Sequence, residues 1–232
     1  MLFSSQLRTE AAPIFQAVYA HSFVRGIATQ NITPTSLTNY VKQDIQYLDT
    51  YARVYGLAIA KSPTHSLMQL FHRRIDLVLH GELTAHMNFC KVAQVDYEAL
   101  RCENQMAPSA HHYASHMLST AHMGQLGDII AVVLPCHWIY VDIATALQEE
   151  LNPSRDHLFY DWISFYSNER MIAGLDELVE ALDQVALTAS TDERHRMREA
   201  FLTSCQMEYK FFDMAFTLEE WPVKVETNHV HA

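Results

Sequence analysis

AVVLPCHWIYVDIATAL, residues 131–147, decides the fold. Apolar side chains follow the helical period through this segment, and nothing in it alternates as a half-buried strand would. Pro135 sits inside the pattern, where its missing N–H removes the bond to the carbonyl four residues back, so a kink is expected beside Cys136. Outward from here the same periodicity runs to both ends of the chain, broken by short Pro, Ser, Thr and Asn clusters. It predicts helices over 5–24, 34–60, 63–93, 96–102, 109–123, 125–150, 156–167, 169–188 and 191–216, and no sheet. Three starts carry capping chemistry. Thr33-Pro34 and Ser62-Pro63 place a hydroxyl before a proline at the first helical position, and Ser190 with Glu193 reads as a capping box.

The composition agrees with an all-α chain. Of 232 residues 49% are apolar and 19% charged, and six glycines cannot serve many hairpins. The length suits one domain, taken as residues 1–220, followed by a polar tail over 221–232. Sixteen Lys and Arg against 27 Asp and Glu leave a net charge of -11, which disfavours nucleic acid or an anionic membrane surface as partner. The longest uncharged apolar stretch, around Ile129 to Leu134, is far shorter than the ~20 residues of a membrane span. The start MLFSSQLRTEAAP lacks the pattern of a signal peptide. Four cysteines without staple-like spacing suit free thiols in a reducing cytoplasm.

Several polar residues fall on helical faces that should be buried. Tyr40, Asp44, Tyr47 and Tyr51 form one stripe with Leu37 and Leu48. A carboxylate there needs a hydrogen-bond partner, and a structural Asp held by a tyrosine hydroxyl or a helix end is the plainest reading. Cys136 and Tyr140 are four residues apart, so thiol and phenol point the same way from the bend. A buried thiol is more often an inert packing group than a nucleophile, and freed backbone groups with a nearby hydroxyl strengthen the second reading while leaving both open. Cys90, Cys102 and Cys205 are read as packing residues. Glu208 lies among Cys205, Phe211 and Phe212, where its pKa would rise enough for general-acid chemistry unless its head reaches water. Tyr113 and Tyr166 fit either core or site. Of fourteen histidines, Glu82/His86 and His112/His116 have ligand-like i,i+4 spacing. No second Glu-x-x-His completes a di-iron set, so no metal is expected and Glu82 with His86 is read as a hydrogen-bonded pair supporting the site from behind.

HSFVRGI (21–27), QDIQYL (43–48), LPCHWIY (134–140), Tyr160-Asp161-Trp162-Ile163 with Tyr166, and Glu208 to Ala215 occur in this order. Together they resemble the TenA/thiaminase II family, the aminopyrimidine aminohydrolases, over nearly the whole chain. The resemblance implies an all-helical, haem-oxygenase-like bundle without haem, assembled as a homotetramer and needing no cofactor. It implies hydrolysis of 4-amino-5-aminomethyl-2-methylpyrimidine to the hydroxymethyl pyrimidine and ammonia in thiamin salvage, and cleavage of thiamin itself. By the same resemblance Cys136 is the nucleophile, Glu208 the general acid and Tyr47 the group that enhances the thiol. Asp44 would hold the pyrimidine's amino group and ring nitrogen; Tyr140, Tyr166 and Tyr113 would line the substrate, with Phe211 a wall for its ring. Phe212 stands where the family usually has Trp, and MGQLGDI (123–129) is looser than its counterpart. A non-catalytic pyrimidine binder or regulator and a metal-dependent oxidase on the same fold are the rival readings.

Overall fold

The computed structural model describes residues 1–102 and 105–223. Twelve α-helices and one π-helical turn account for the regular structure among them. In chain order these are α1 (Phe3–Glu10), α2 (Ala12–Tyr19), α3 (Ser22–Thr29), α4 (Pro34–Lys61) and α5 (His65–Asp76). The π-helical turn Leu77–Gly81 leads into α6 (Leu83–Ala93). There follow α7 (Tyr97–Arg101), α8 (Pro108–Met123), α9 (Leu126–Leu151), α10 (Tyr160–Tyr166), α11 (Glu169–Thr188) and α12 (Thr191–Thr217).

The segment that opened the reading becomes α9, the axis of the bundle, which packs against α4, α8, α10, α11 and α12. Every residue from Ile129 to Leu134 is fully buried, and each large aliphatic side chain there contributes about 1.5–3 kcal/mol. This helix is apolar all round because it is enclosed all round. Contrary to the expectation from its uncharged stretch, α9 is long and apolar enough by length and composition to cross a membrane; 72% of its most apolar window is buried within the bundle. Pro135 does not end it. One turn before the proline, two carbonyls accept bonds from neighbouring helices: Ser204 Oγ donates to Val132 O at 2.8 Å and Tyr51 Oη to Val133 O at 2.7 Å.

Some expected boundaries move. The single helix over 5–24 is three short helices, because Pro13 enters the first turn of α2 and the His21 ring accepts from Phe23 N to start α3. The helix over 63–93 is divided by the π-helical turn and begins at His65. Ser62 does not cap it: its hydroxyl bonds back to Ala58 O, and Thr64 takes the capping role. The segment 156–167 is helical only over Tyr160–Tyr166. Thr33 and the Ser190–Glu193 box cap as the sequence predicts. A second box, Gln125 with Asp128, opens α9 inside the stretch that looked loose. Cys102 is exposed and so is not a packing residue, whereas Cys90 and Cys205 are buried. Trp221 Nε1 donates to Met106 O at 2.8 Å, and the tail from 224 to 232 lies outside the described residues.

Candidate active site

The stripe on α4 faces the core, as its spacing requires. Tyr40, Asp44, Tyr47 and Tyr51 are each at most 5% exposed. The partner of Asp44 is neither a tyrosine nor a helix end: His86 Nε2 on α6 meets Asp44 Oδ2 at 2.7 Å. His86 is itself buried, and its Nδ1 has no partner. Glu82, four residues earlier, accepts from the Tyr166 hydroxyl of α10. The expected Glu82–His86 side-chain pair is therefore not formed; each reaches a different helix. Tyr40 and Tyr140 share a short hydroxyl–hydroxyl bond between α4 and α9.

Cys136 is half-buried on α9. Burial pushes its thiol well above the ordinary range, the nearby Glu208 carboxylate adds to this, and Asp44 and Glu82 act in the same direction. The Tyr47 hydroxyl opposes them by favouring the thiolate. That hydroxyl lies close to the sulfur but is buried without a bond of ordinary geometry, so it is available to a group arriving beside Cys136.

Glu208 projects from α12 and is 2% exposed. Tyr113 of α8 donates to its Oε1 at 2.6 Å. Burial raises this carboxyl to about 8, the bond from Tyr113 opposes the rise, the charge of Asp44 adds to it, and the Cys136 thiol opposes it. Glu82 is pushed up to about 7, again chiefly by burial and against the bond from Tyr166. Two carboxyl groups that hold protons near neutrality thus lie within electrostatic reach of one sulfur, which provides groups able to give and take protons.

A cavity opens onto this arrangement. Of the sequence-derived candidates, Asp44, Glu82, Cys136, Tyr140 and Tyr166 line it directly. Tyr47, Tyr113, Glu208 and Phe211 do not; they gather on the other side of Cys136, with the Tyr47 ring 4.9 Å from that of Tyr113 and 5.4 Å from that of Phe211. His86 sits behind Asp44. Phe212 stacks on Tyr140 at 5.5 Å between ring centroids, a packing role in keeping with its place beside the site. Sequence reasoning missed the remainder of the lining, including Tyr55, Arg74, His137 and Met171. Only Tyr55 had a signal, since it continues the α4 stripe by one helical step. Among the described residues no group of three or more His, Cys, Asp or Glu is placed to hold a metal ion.

The model of the TENA/THI-4/PQQC family matches residues 8–218. An aminopyrimidine aminohydrolase of Halalkalibacterium halodurans is 33% identical over 222 residues, 95% of this chain and 98% of that one. A TenA homologue protein from P. horikoshii OT3 superposes with a TM-score of 0.82 at 20% identity, over 94% of this chain and 99% of that one. A domain of unknown function with a heme oxygenase-like fold from Shewanella denitrificans follows the same path, with a TM-score of 0.70 at 12% identity over 92% of each chain. The fold is thus all-α and heme oxygenase-like. With the family match running from α1 to the C-cap of α12, across every helix that carries the site, the chain belongs to the TENA/THI-4/PQQC family.

Proposed function

We propose that the protein is an aminopyrimidine aminohydrolase that converts 4-amino-5-aminomethyl-2-methylpyrimidine and water to the 5-hydroxymethyl compound and ammonia in thiamin salvage, and that it also cleaves thiamin. The observation that carries this reading is the Cys136 sulfur set between a cavity carrying Asp44 and a proton-holding Glu208. The name of the H. halodurans relative supports the substrate class.

Asp44, held by His86, accepts from the pyrimidine's amino group and orients a ring nitrogen for protonation, which makes the ring electrophilic. The aminomethyl arm reacts as the free amine beside Glu208, which holds a proton near neutrality. The Cys136 sulfur adds to a ring carbon as the thiol gives its proton to the ring nitrogen that Asp44 orients. Electrons from the adduct expel the amine, which takes its proton from Glu208. Water adds to the exocyclic carbon and returns a proton to Glu208; loss of the ring's added proton and departure of the thiolate restore the aromatic ring. One C–N bond is broken, one C–O bond is formed and one water is consumed. Tyr140 and Tyr166 contact the substrate, Tyr113 holds Glu208, and Phe211 walls the far side.

Ammonia release from the aminomethyl pyrimidine by wild type and by Cys136→Ser tests the proposal. Wild type is expected to turn over and the variant to lose on the order of 10³-fold or more in kcat. Equal rates would remove the nucleophile, and tight binding without turnover by wild type would leave a pyrimidine-binding protein. Assembly as a homotetramer is part of the same proposal, and light scattering reads it directly.

A further inference from the structure

The reaction above uses one end of the cavity. Its α4 lining runs through Asp44, Leu48, Tyr51 and Tyr55, and the first and last are eleven residues apart, about 16 Å of helix. Helices α4 and α9 run antiparallel here, with Tyr40 bonded to Tyr140 and Tyr51 to Val133. Cys136 therefore lies level with the Asp44 end. A six-membered ring with a one-carbon arm placed at that end is shorter than this span and does not reach Tyr55.

Arg74 of α5 lines the cavity at that far end, close enough to the Tyr55 hydroxyl and the His137 ring to act on both electrostatically. It is 6% exposed. Among the described residues its one carboxylate partner is Glu177, at 3.4 Å from Nη2 and 43% exposed, and Nε and Nη1 are buried with no partner. The guanidinium is held by shape: a Cβ on Gly174 would stand 1.9 Å from Nη1, so the glycine leaves the place that Arg74 fills. His137 Nε2 meets Met171 O at 2.8 Å and the Tyr55 hydroxyl donates to Tyr51 at 3.3 Å, and neither side chain is bonded to Arg74 Nε or Nη1. A buried guanidinium left this short of acceptors is best satisfied by an incoming anion.

We propose that the Arg74 end of the cavity is a subsite for an oxyanion, a phosphate monoester or a carboxylate, carried on the leaving half of an extended pyrimidine conjugate. The inference rests on the proposed function for the bond that is cut; the pyrimidine half and the water are unchanged, and only the departing nitrogen group is longer. A substrate of this kind would place its cationic linkage near Asp44 and Glu82 and its anion at Arg74, matching both signs of charge along the cavity.

Thiamin, its monophosphate and a carboxylate analogue of the same length are the probes. Binding is measured by calorimetry in a Cys136→Ser background, where no turnover intervenes, with Arg74 intact, as Arg74→Met, or displaced by Gly174→Ala. The phosphate ester or the carboxylate is expected to bind on the order of ten-fold more tightly than thiamin, and both substitutions to bring that ratio near one. Gly174→Ala with Cys136 intact should still release ammonia from the aminomethyl pyrimidine. Preference for one anion over the other identifies the source of the oxyanion. Equal binding of thiamin and both anionic probes with Arg74 intact, or an anion preference that survives both substitutions, overturns the subsite. Absence of ammonia release by wild type overturns the function instead.

Discussion

His86 is the residue whose role becomes visible only in three dimensions. Spacing on α6 pairs it with Glu82, yet its ring nitrogen reaches across to Asp44 at 2.7 Å in a setting where both side chains are almost fully enclosed. Removing the ring leaves a buried carboxylate oxygen unpaired, at a cost of about 1–3 kcal/mol or more. His86→Phe is thus expected to raise KM for the aminomethyl pyrimidine and lower kcat, by roughly ten-fold together. His86→Gln keeps an N–H donor and should recover most of the loss. Steady-state kinetics of the two variants checks this; equal impairment by Phe and Gln would reduce His86 to a packing residue. The Tyr47 hydroxyl and His86 Nδ1, both buried without partners, mark where the polar groups of the site await something the protein alone does not supply.

At the scale of elements, periodicity and capping chemistry made most of the helices legible, and they fail where tertiary contacts choose between equal local options. Helix α11 occupies the expected 169–188, and α12 starts on its box, where Ser190 Oγ accepts from Glu193 N at 3.3 Å and Glu193 Oε2 from Ser190 N at 2.7 Å. Ser190→Ala should destabilise the protein by about 1 kcal/mol, read as a lower urea midpoint with an unchanged slope; no shift would mean that packing alone sets the start of α12. The sequence points to Ser62 as the cap, but the fold sends its hydroxyl back to Ala58 O, and Thr64 Oγ1 accepts from Leu67 N instead. The π-helical turn Leu77–Gly81 has no composition of its own, yet it immediately precedes Glu82. For the candidate site, residue types and their faces were legible from the period of α4, α9 and α12. Partners across helices were not, because an i,i+4 pair shares a face without sharing a neighbour: Glu82 meets Tyr166 and His86 meets Asp44. Arg74 had no signal at all, since one arginine of a His-Arg-Arg run resembles any solvated charge until Gly174 and the cavity enclose it.

For the molecule as a whole, burying proton-holding carboxyls at the centre of a bundle makes stability depend on pH in a definite direction. Glu82 and Glu208 are raised by burial from an ordinary 4.5 to about 7 and about 8. The folded chain therefore binds their protons more tightly than the unfolded chain, and their contribution is complete below 4.5 and lost as pH rises through 7 and 8. His137 works the other way. Burial lowers it to about 4, so its contribution is present above 6.5 and lost as pH falls through 4; burial lowers His21 and His116 as well, with the same sign. Between about 4.5 and 6.5 the two sets oppose each other. From 6.5 to 8 the carboxyls act alone among these groups, and each pH unit reduces stability by up to about 1.4 kcal/mol per carboxyl still protonated in the fold. Urea unfolding of the free protein at pH 6.5, 7, 7.5 and 8 should show a falling midpoint. Glu208→Gln, which cannot titrate, should flatten the fall between pH 7 and 8, where Glu208 is the carboxyl still losing its proton. A midpoint that rises over this interval, or a variant that keeps the wild-type slope, would mean that Glu208 is already ionised in the folded protein and cannot be the acid that protonates the leaving amine.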